Sequence, residues 1–197
     1  MRVFSIVRRV AEVPIKGFNY LLNSAILGLN QVHIGDCWRI AGRIFILNEG
    51  EISIGNNFIA NSSRFKNPIG GDGIIRLVVR KNGHLILGNN VGISNSTIVC
   101  WKKIEIGNHV SIGGGCKIWD TDFHSTDPVD RQHKDNANVK TESVKLGDYS
   151  FIGGGAIILK GVCVGKNAVV AAGSVVTKSI PDNEIWGGNP AKFIRKL

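Results

Sequence analysis

The chain has 197 residues, a length that suits one domain with at most a small appendage. Its 43% hydrophobic content can fill a core, and its 25 glycines lack both the strict period and the proline of collagen, so they point to many tight turns. A formal charge of +9 favours anionic partners. The basic residues form no long run and no nucleic-acid motif, which argues against nucleic acid and for a phosphorylated small molecule.

Residues 1–30 are basic and apolar. Arg8, Arg9 and Lys16 precede an apolar stretch, residues 20–29, that Asn23 and Ser24 interrupt and that is too short to span a bilayer. The segment reads as an N-terminal helical segment that docks on the end of the following domain or on a neighbouring subunit. A second reading lays it on a membrane surface.

From residue 31 to 180 the aliphatic residues recur every sixth position. Leu146, Ile152, Ile158, Val164, Val170 and Val176 form an unbroken series. Shorter series are Ile34, Ile40, Ile46, Ile52; Leu87, Ile93, Val99; and Ile106, Ile112, Ile118. A second motif, aliphatic-any-aliphatic-glycine, ends at Gly55, Gly88, Gly107, Gly147 and Gly165, at intervals of 33, 19, 40 and 18 residues. Each hexad is one short strand and one turn, and three hexads close a triangular coil that buries its inward residue only by stacking on other coils. An all-β solenoid follows, specifically a parallel β-helix. A β-sandwich would instead need hairpins with alternating faces.

The two long intervals mark excursions, near 62–80 and 124–142. The second is polar and opens at Asp120-Thr121-Asp122-Phe123-His124. Long loops on a rigid repeat are where function concentrates. Four cysteines, at 37, 100, 116 and 163, show no metal-ligand spacing; three lie in repeat segments and read as small buried hydrophobes in a reducing cytoplasm. No metal is expected. Of five histidines, His124 opens the excursion, while His33, His84, His109 and His133 are given structural or neutral roles.

The hexads, the His124 excursion and the ending Gly187-Gly188-Asn189-Pro190-Ala191-Lys192 together resemble the hexapeptide-repeat acyltransferases, and within them the sugar and polysaccharide O-acetyltransferases such as the galactoside and maltose enzymes. The likeness runs over residues 34–195. It implies a left-handed β-helix, acetyl-CoA as acyl donor, a sugar or polysaccharide-precursor acceptor of the capsule or lipopolysaccharide type, and a homotrimer with active sites between subunits. It also implies a cytoplasmic enzyme, placed at the inner face of the membrane if residues 1–30 contact lipid. His124 then matches the general base and Asp122 its helper. Gly154, Ala172, Thr177, Lys178, Lys192 and Arg195 match coenzyme contacts, the last two in a coenzyme-binding tail at 181–197. Asp120, Trp119 and Asn95 are candidates for the acceptor, although the family's asparagine position counts to Ile93. Backbone N–H groups near Gly153 and Gly154 would steady the oxyanion during direct transfer in a ternary complex. Other readings are a xenobiotic or small-molecule acetyltransferase, a metal hydratase, and a non-catalytic scaffold.

Overall fold

The computed structural model describes residues 17–63, 67–71, 73–132 and 138–197. Within them the chain winds as a parallel β-helix with three faces. Sheet A holds His33–Ile34, Glu51–Ile54, His84–Leu87, Lys103–Ile106, Val144–Leu146 and Cys163–Val164. Sheet B begins with Arg39–Gly42, Ile59–Ser62, Gly92–Ser94, Ser111–Ile112, Phe151–Ile152 and Val169–Val170. Sheet C holds Ile44–Asn48, Ile75–Val79, Thr97–Cys100, Lys117–Trp119, Ile157–Ile158 and Val175–Val176. Successive strands visit A, B and C in turn, so every pairing among these strands joins one coil to the next.

The repeat explains the core directly. Ile54, Leu87, Ile106, Leu146 and Val164 are paired in register as one inward column, all buried. The residue two before each of the first four (Ile52, Leu85, Ile104, Val144) is buried as well, because side chains alternate along a strand. The glycine after each column member is needed for close approach between coils: a Cβ on Gly88 would lie 2.8 Å from the carbonyl carbon of Gly107.

Coil spacing at the A–B corner is fixed by side-chain oxygens that accept backbone N–H groups from the coil before. Asn56 accepts from Asp36, Asn89 from Asn56, Asn108 from Asn89, and Asp148 from Asn108, at 2.7–2.9 Å. This ladder satisfies turn donors that a strand-only count leaves open.

Two expectations need correction. The inward residue after Ile93 is Ile98, paired with Ile118, whereas Val99 is only half-buried. The corner at Asn95, where φ is +38°, is one residue shorter than its neighbour at 113–117, which shifts the phase. The first excursion is also shorter than 62–80: Ile75–Val79 is a full member of sheet C, so the chain leaves the solenoid only between Ser62 and Ile75. Its described part contains a 3-10 turn, Pro68–Gly70.

Of the N-terminal segment expected at 1–30, residues 1–16 lie outside the described residues. Helix α1, residues 17–29, covers the open end of the first coil. Asn23, fully buried, donates to the Gly42 carbonyl at 2.9 Å and accepts from the Ile44 N–H, while Leu27 enters the core. Phe18, Leu21 and Leu29 face outward. No helix among the described residues is long and apolar enough to cross a membrane. At the other end Glu184–Gly188 joins sheet B beside Val169–Val170 and turns back antiparallel as Ala191–Lys196.

Candidate functional site

The second excursion leaves the C–A corner on a narrow neck. Thr121 bridges Thr141 in antiparallel fashion, the Asp122 N–H donates to the Lys140 carbonyl at 3.1 Å, and the Glu142 N–H donates to the Asp120 carbonyl at 2.9 Å. Beyond the neck, helix α2 (Pro128–Gln132) is stapled back. The Ser125 hydroxyl donates to Asp130 at 2.7 Å, Asn138 donates to the same carboxylate, and Arg131 donates to the Ser125 and Thr126 carbonyls. These hydrogen bonds hold the Asp130 carboxyl below the ordinary carboxylate range. The loop is thus tied down at both its root and its described far side.

His124 sits at the root, exposed, with its N–H donating to the Asp122 carbonyl at 2.7 Å. The side chain of Asp122 has a different partner: Lys160 Nζ lies 3.0 Å from its Oδ1, both groups half-buried. Asp122 therefore anchors the root to the solenoid wall, and among the described residues it makes no hydrogen bond or ion pair with the imidazole. Sequence reasoning missed Lys160. It lies on the coil before Lys178, since Ile158 pairs with Val176, and that count was available from the repeat.

Asp120 must be removed from the acceptor set. It is fully buried and accepts the N–H groups of Trp101, Lys102 and Lys103 at 2.7–2.8 Å, closing the turn of the coil below. It also lies 3.6 Å from the Cys100 thiol, whose pKa is pushed up to about 12 by burial first and by this carboxylate second. Cys100 and Cys116 are the buried hydrophobes expected, whereas Cys37 and Cys163 are exposed, the latter because it occupies the outward position of its strand. Trp119 is half-buried and meets the Phe123 ring edge-on at 5.7 Å; Trp101 meets the same ring at 6.2 Å.

The remaining candidates fall on two edges of sheet C. Thr177 and Lys178, both exposed, share the C–A corner with Lys160 and His124. Asn95, Gly154 and Ala172 share the opposite B–C corner. A strand such as Thr97–Cys100 separates the corners by about 13 Å at ~3.3 Å per residue. Asn95 is buried; its Nδ2 points to the carbonyls of Asn67 and Gly71 at 3.4 and 3.5 Å, and its Oδ1 has no partner among the described residues. A Cβ on Gly154 would meet Ile69 of the first excursion at 3.4 Å.

The Gly153 N–H donates to the Val170 carbonyl at 2.8 Å and so is not available to an oxyanion; the Gly154 N–H has no acceptor among the described residues. In the C-terminal hairpin Lys192 pairs with Gly187, near the B–C corner, and Arg195 pairs with Ile185; both side chains are exposed. Of the other histidines, His84 contacts Glu51 at 3.0 Å and His109 stacks on Tyr149, while His133 lies outside the described residues. One cleft, of about 440 Å³, opens between α1 and the first coils and is lined by none of the candidates.

Residues 143–178 match the family described as bacterial transferase hexapeptide (six repeats). A lipopolysaccharide biosynthesis O-acetyl transferase of Escherichia coli, itself named as a presumptive enzyme, is 29% identical over 91% of this chain and 88% of its own. Residues 143–178 thus carry the pattern of the hexapeptide-repeat transferases. The chain's β-helix is accordingly left-handed, against the usual hand of parallel crossovers.

Two further relatives pull in different directions. A galactoside O-acetyltransferase of Lactococcus lactis is 41% identical over 52% of the chain and 48% of its own length. A mitochondrial gamma carbonic anhydrase of Arabidopsis thaliana is 42% identical over 46% of the chain and 37% of its own. The chain thus spans about half the length, or less, of these two curated relatives. Among solved structures, a point mutant of AntD, an N-acyltransferase from Bacillus cereus in complex with dTDP and coenzyme A, superposes with a TM-score of 0.66 at 25% identity, covering 83% of each chain. Among the described residues no group of three or more His, Cys, Asp or Glu side chains stands where it could hold a metal ion.

Proposed function

We propose that this chain is an acyltransferase that moves an acetyl group from acetyl-CoA to a hydroxyl of a sugar or polysaccharide precursor, with His124 as general base. The observation that carries the proposal is the presentation of His124: an exposed imidazole at the root of a loop tied down on both sides, beside the basic pair Lys160 and Lys178. The full-length likeness to an O-acetyl transferase of lipopolysaccharide biosynthesis, and the dTDP and coenzyme A held by the AntD relative, favour an activated or polymer-bound sugar as acceptor.

Histidine is suited to the work because its ordinary titration falls near neutral pH. His124 would take the proton of the acceptor hydroxyl as its oxygen bonds to the acyl carbon, then return that proton to the departing sulfur as the C–S bond breaks. Acyl-CoA supplies an activated acyl group and a thiol that leaves readily. The chain would hold it by the Gly154 N–H and the small residues Gly154 and Ala172 along one edge of sheet C. Lys178, Lys192 and Arg195 are cations for its phosphates, and the unpaired Gly154 N–H is also the oxyanion donor.

Gly154, Ala172 and Asn95 lie one sheet-width from His124, so a single chain does not bring the base to the donor edge. A homotrimer in which the B–C corner of one subunit faces the C–A corner of the next would close the site, and the reading commits to that assembly. The outward Phe18, Leu21 and Leu29 of α1, with Arg8, Arg9 and Lys16 upstream in the sequence, support contact with the inner face of an anionic membrane, where such acceptors are assembled.

Calorimetry with acetyl-CoA tests the donor. Micromolar binding to the wild type that weakens in Lys178→Ala/Arg195→Ala is expected, and absence of binding to acetyl-CoA and to longer acyl-CoAs would sink the transferase reading. His124→Ala should lower transfer by about 10²- to 10⁴-fold while leaving acetyl-CoA binding intact.

A further inference from the structure

We infer that Phe123 is a positioning residue, which holds His124 in place by wedging a strained turn between two tryptophans; the inference rests on His124 acting as the base. The observation is local and specific. Phe123 has φ +62°, and the N–H of His124 donates to the carbonyl of Asp122, two residues back, at 2.7 Å. A three-residue turn closed by that bond, with positive φ at its centre, is the strained form of the γ-turn. Glycine adopts such a φ freely, whereas a bulky side chain rarely does. Strain of this kind persists only where the surroundings over-determine it, and it concentrates at functional sites.

The surroundings are visible here. The Phe123 ring meets Trp101 at 6.2 Å with an interplanar angle of 86°, and Trp119 at 5.7 Å and 64°, both edge-to-face arrangements. Trp101 follows the sheet C strand of one coil and Trp119 ends that of the next, so the ring bridges two coils of the rigid wall. The Phe123 N–H donates to the Thr121 hydroxyl at 3.2 Å, and Lys160 fixes Asp122 from a third coil. The turn cannot relax to negative φ without pulling the ring out of this wedge. Its consequence is direction: the peptide reverses sharply at Phe123 and His124 stays outside the wall, exposed, at the edge where a neighbouring subunit would bring the donor.

The test separates wedge from strain. Phe123→Ala loses the wedge and keeps the strain, Phe123→Gly loses both, and Phe123→Tyr keeps both. Two readouts are taken: exchange of the His124 amide hydrogen by NMR, and transfer from acetyl-CoA to p-nitrophenyl-β-galactoside, with His124→Ala as control. The expected order for amide protection and for kcat is Phe ≈ Tyr > Gly > Ala. The alanine variant should exchange at least ~10-fold faster than wild type, with KM for acetyl-CoA and the melting temperature little changed. Wild-type amide protection in Phe123→Ala, or equal behaviour of the glycine and alanine variants, would overturn the inference, whether or not this acceptor is used. If His124→Ala keeps wild-type transfer, the base reading fails instead, and the exchange order alone then decides whether the wedge holds the turn.

Discussion

Lys160 Nζ and Asp122 Oδ1 meet at 3.0 Å, a contact that joins the wall of one coil to the root of the loop that leaves the coil before it. Because both groups are half-buried, the pair is screened less than a surface ion pair and should contribute about 1 kcal/mol. Lys160→Ala and Asp122→Ala should therefore lower transfer by similar factors, about 5-fold each, and the double variant should be little worse than either. A double-mutant cycle on kcat checks this. Additive losses would mean that the two residues act separately, with Asp122 touching substrate or imidazole directly.

Asp120 carries a stability prediction with no catalytic component. Three backbone N–H groups lose their acceptor in Asp120→Ala, inside a fully buried turn. The expected cost is about 3–5 kcal/mol, equivalent to a fall in melting temperature on the order of 10 °C for a chain of this size. Whatever Asp120→Ala protein remains folded should bind acetyl-CoA as the wild type does. Unchanged melting would refute the buried geometry.

The thiols offer a check that needs no substrate. Burial raises the pKa of both Cys100, to about 12, and Cys116, so neither forms much thiolate at pH 8, while Cys37 and Cys163 are exposed. Iodoacetamide at pH 8 should modify Cys37 and Cys163 in the native protein and all four cysteines only after unfolding, as read by mass spectrometry. Rapid native labelling of Cys100 would contradict its place beneath the Trp101 turn.

The repeat was legible because a coil has room inward only for aliphatic side chains, so Leu146 through Val176 announce themselves at every sixth position. The hexad count failed at Val99, where a corner shortened by one residue at Asn95 moved the phase, and nothing in Ser94-Asn95-Ser96 signals that length. The two carboxylates before His124 look alike in sequence. What distinguishes them is the Trp101–Lys103 turn, 17 to 19 residues earlier, whose three N–H groups claim Asp120, and Lys160, which claims Asp122. Lys160 could have been found by stepping one coil back from Lys178. The positive φ of Phe123 could not, since residue type there argues against it and only the packing of Trp101 and Trp119 sustains it.

Acid should loosen the loop before it unfolds the solenoid. The hydrogen bonds from Ser125 and Asn138 lower the folded-state pKa of Asp130, so its contribution is fully present above the ordinary carboxylate value. That contribution is lost as pH falls from the ordinary value through the lowered one. Amide protection at 125–132, relative to the unstructured rate at each pH, should fall across this interval while the core strands stay protected, and Asp130→Asn should show the lower protection already at neutral pH. Equal protection of the variant and the wild type at pH 7 would show that the staple does not hold the loop.

Complementation between variants tests whether the two edges of sheet C serve one site. If each site takes His124 from one subunit and the B–C corner from the next, His124→Ala and Asn95→Ala chains are each inactive alone. In a mixed trimer, a site whose His124 comes from the Asn95→Ala chain and whose corner comes from the His124→Ala chain is intact. With equal amounts and random assembly, about one site in four has that composition, so the mixture should recover about a quarter of wild-type transfer. Refolding the two variants together, with each refolded alone as control, reads this directly. The distance across Thr97–Cys100 motivates the test: groups about 13 Å apart on one rigid wall would share chemistry across a subunit boundary. No recovery, with Asn95→Ala alone active, would place the whole site at the His124 edge of a single chain and remove Asn95 from it.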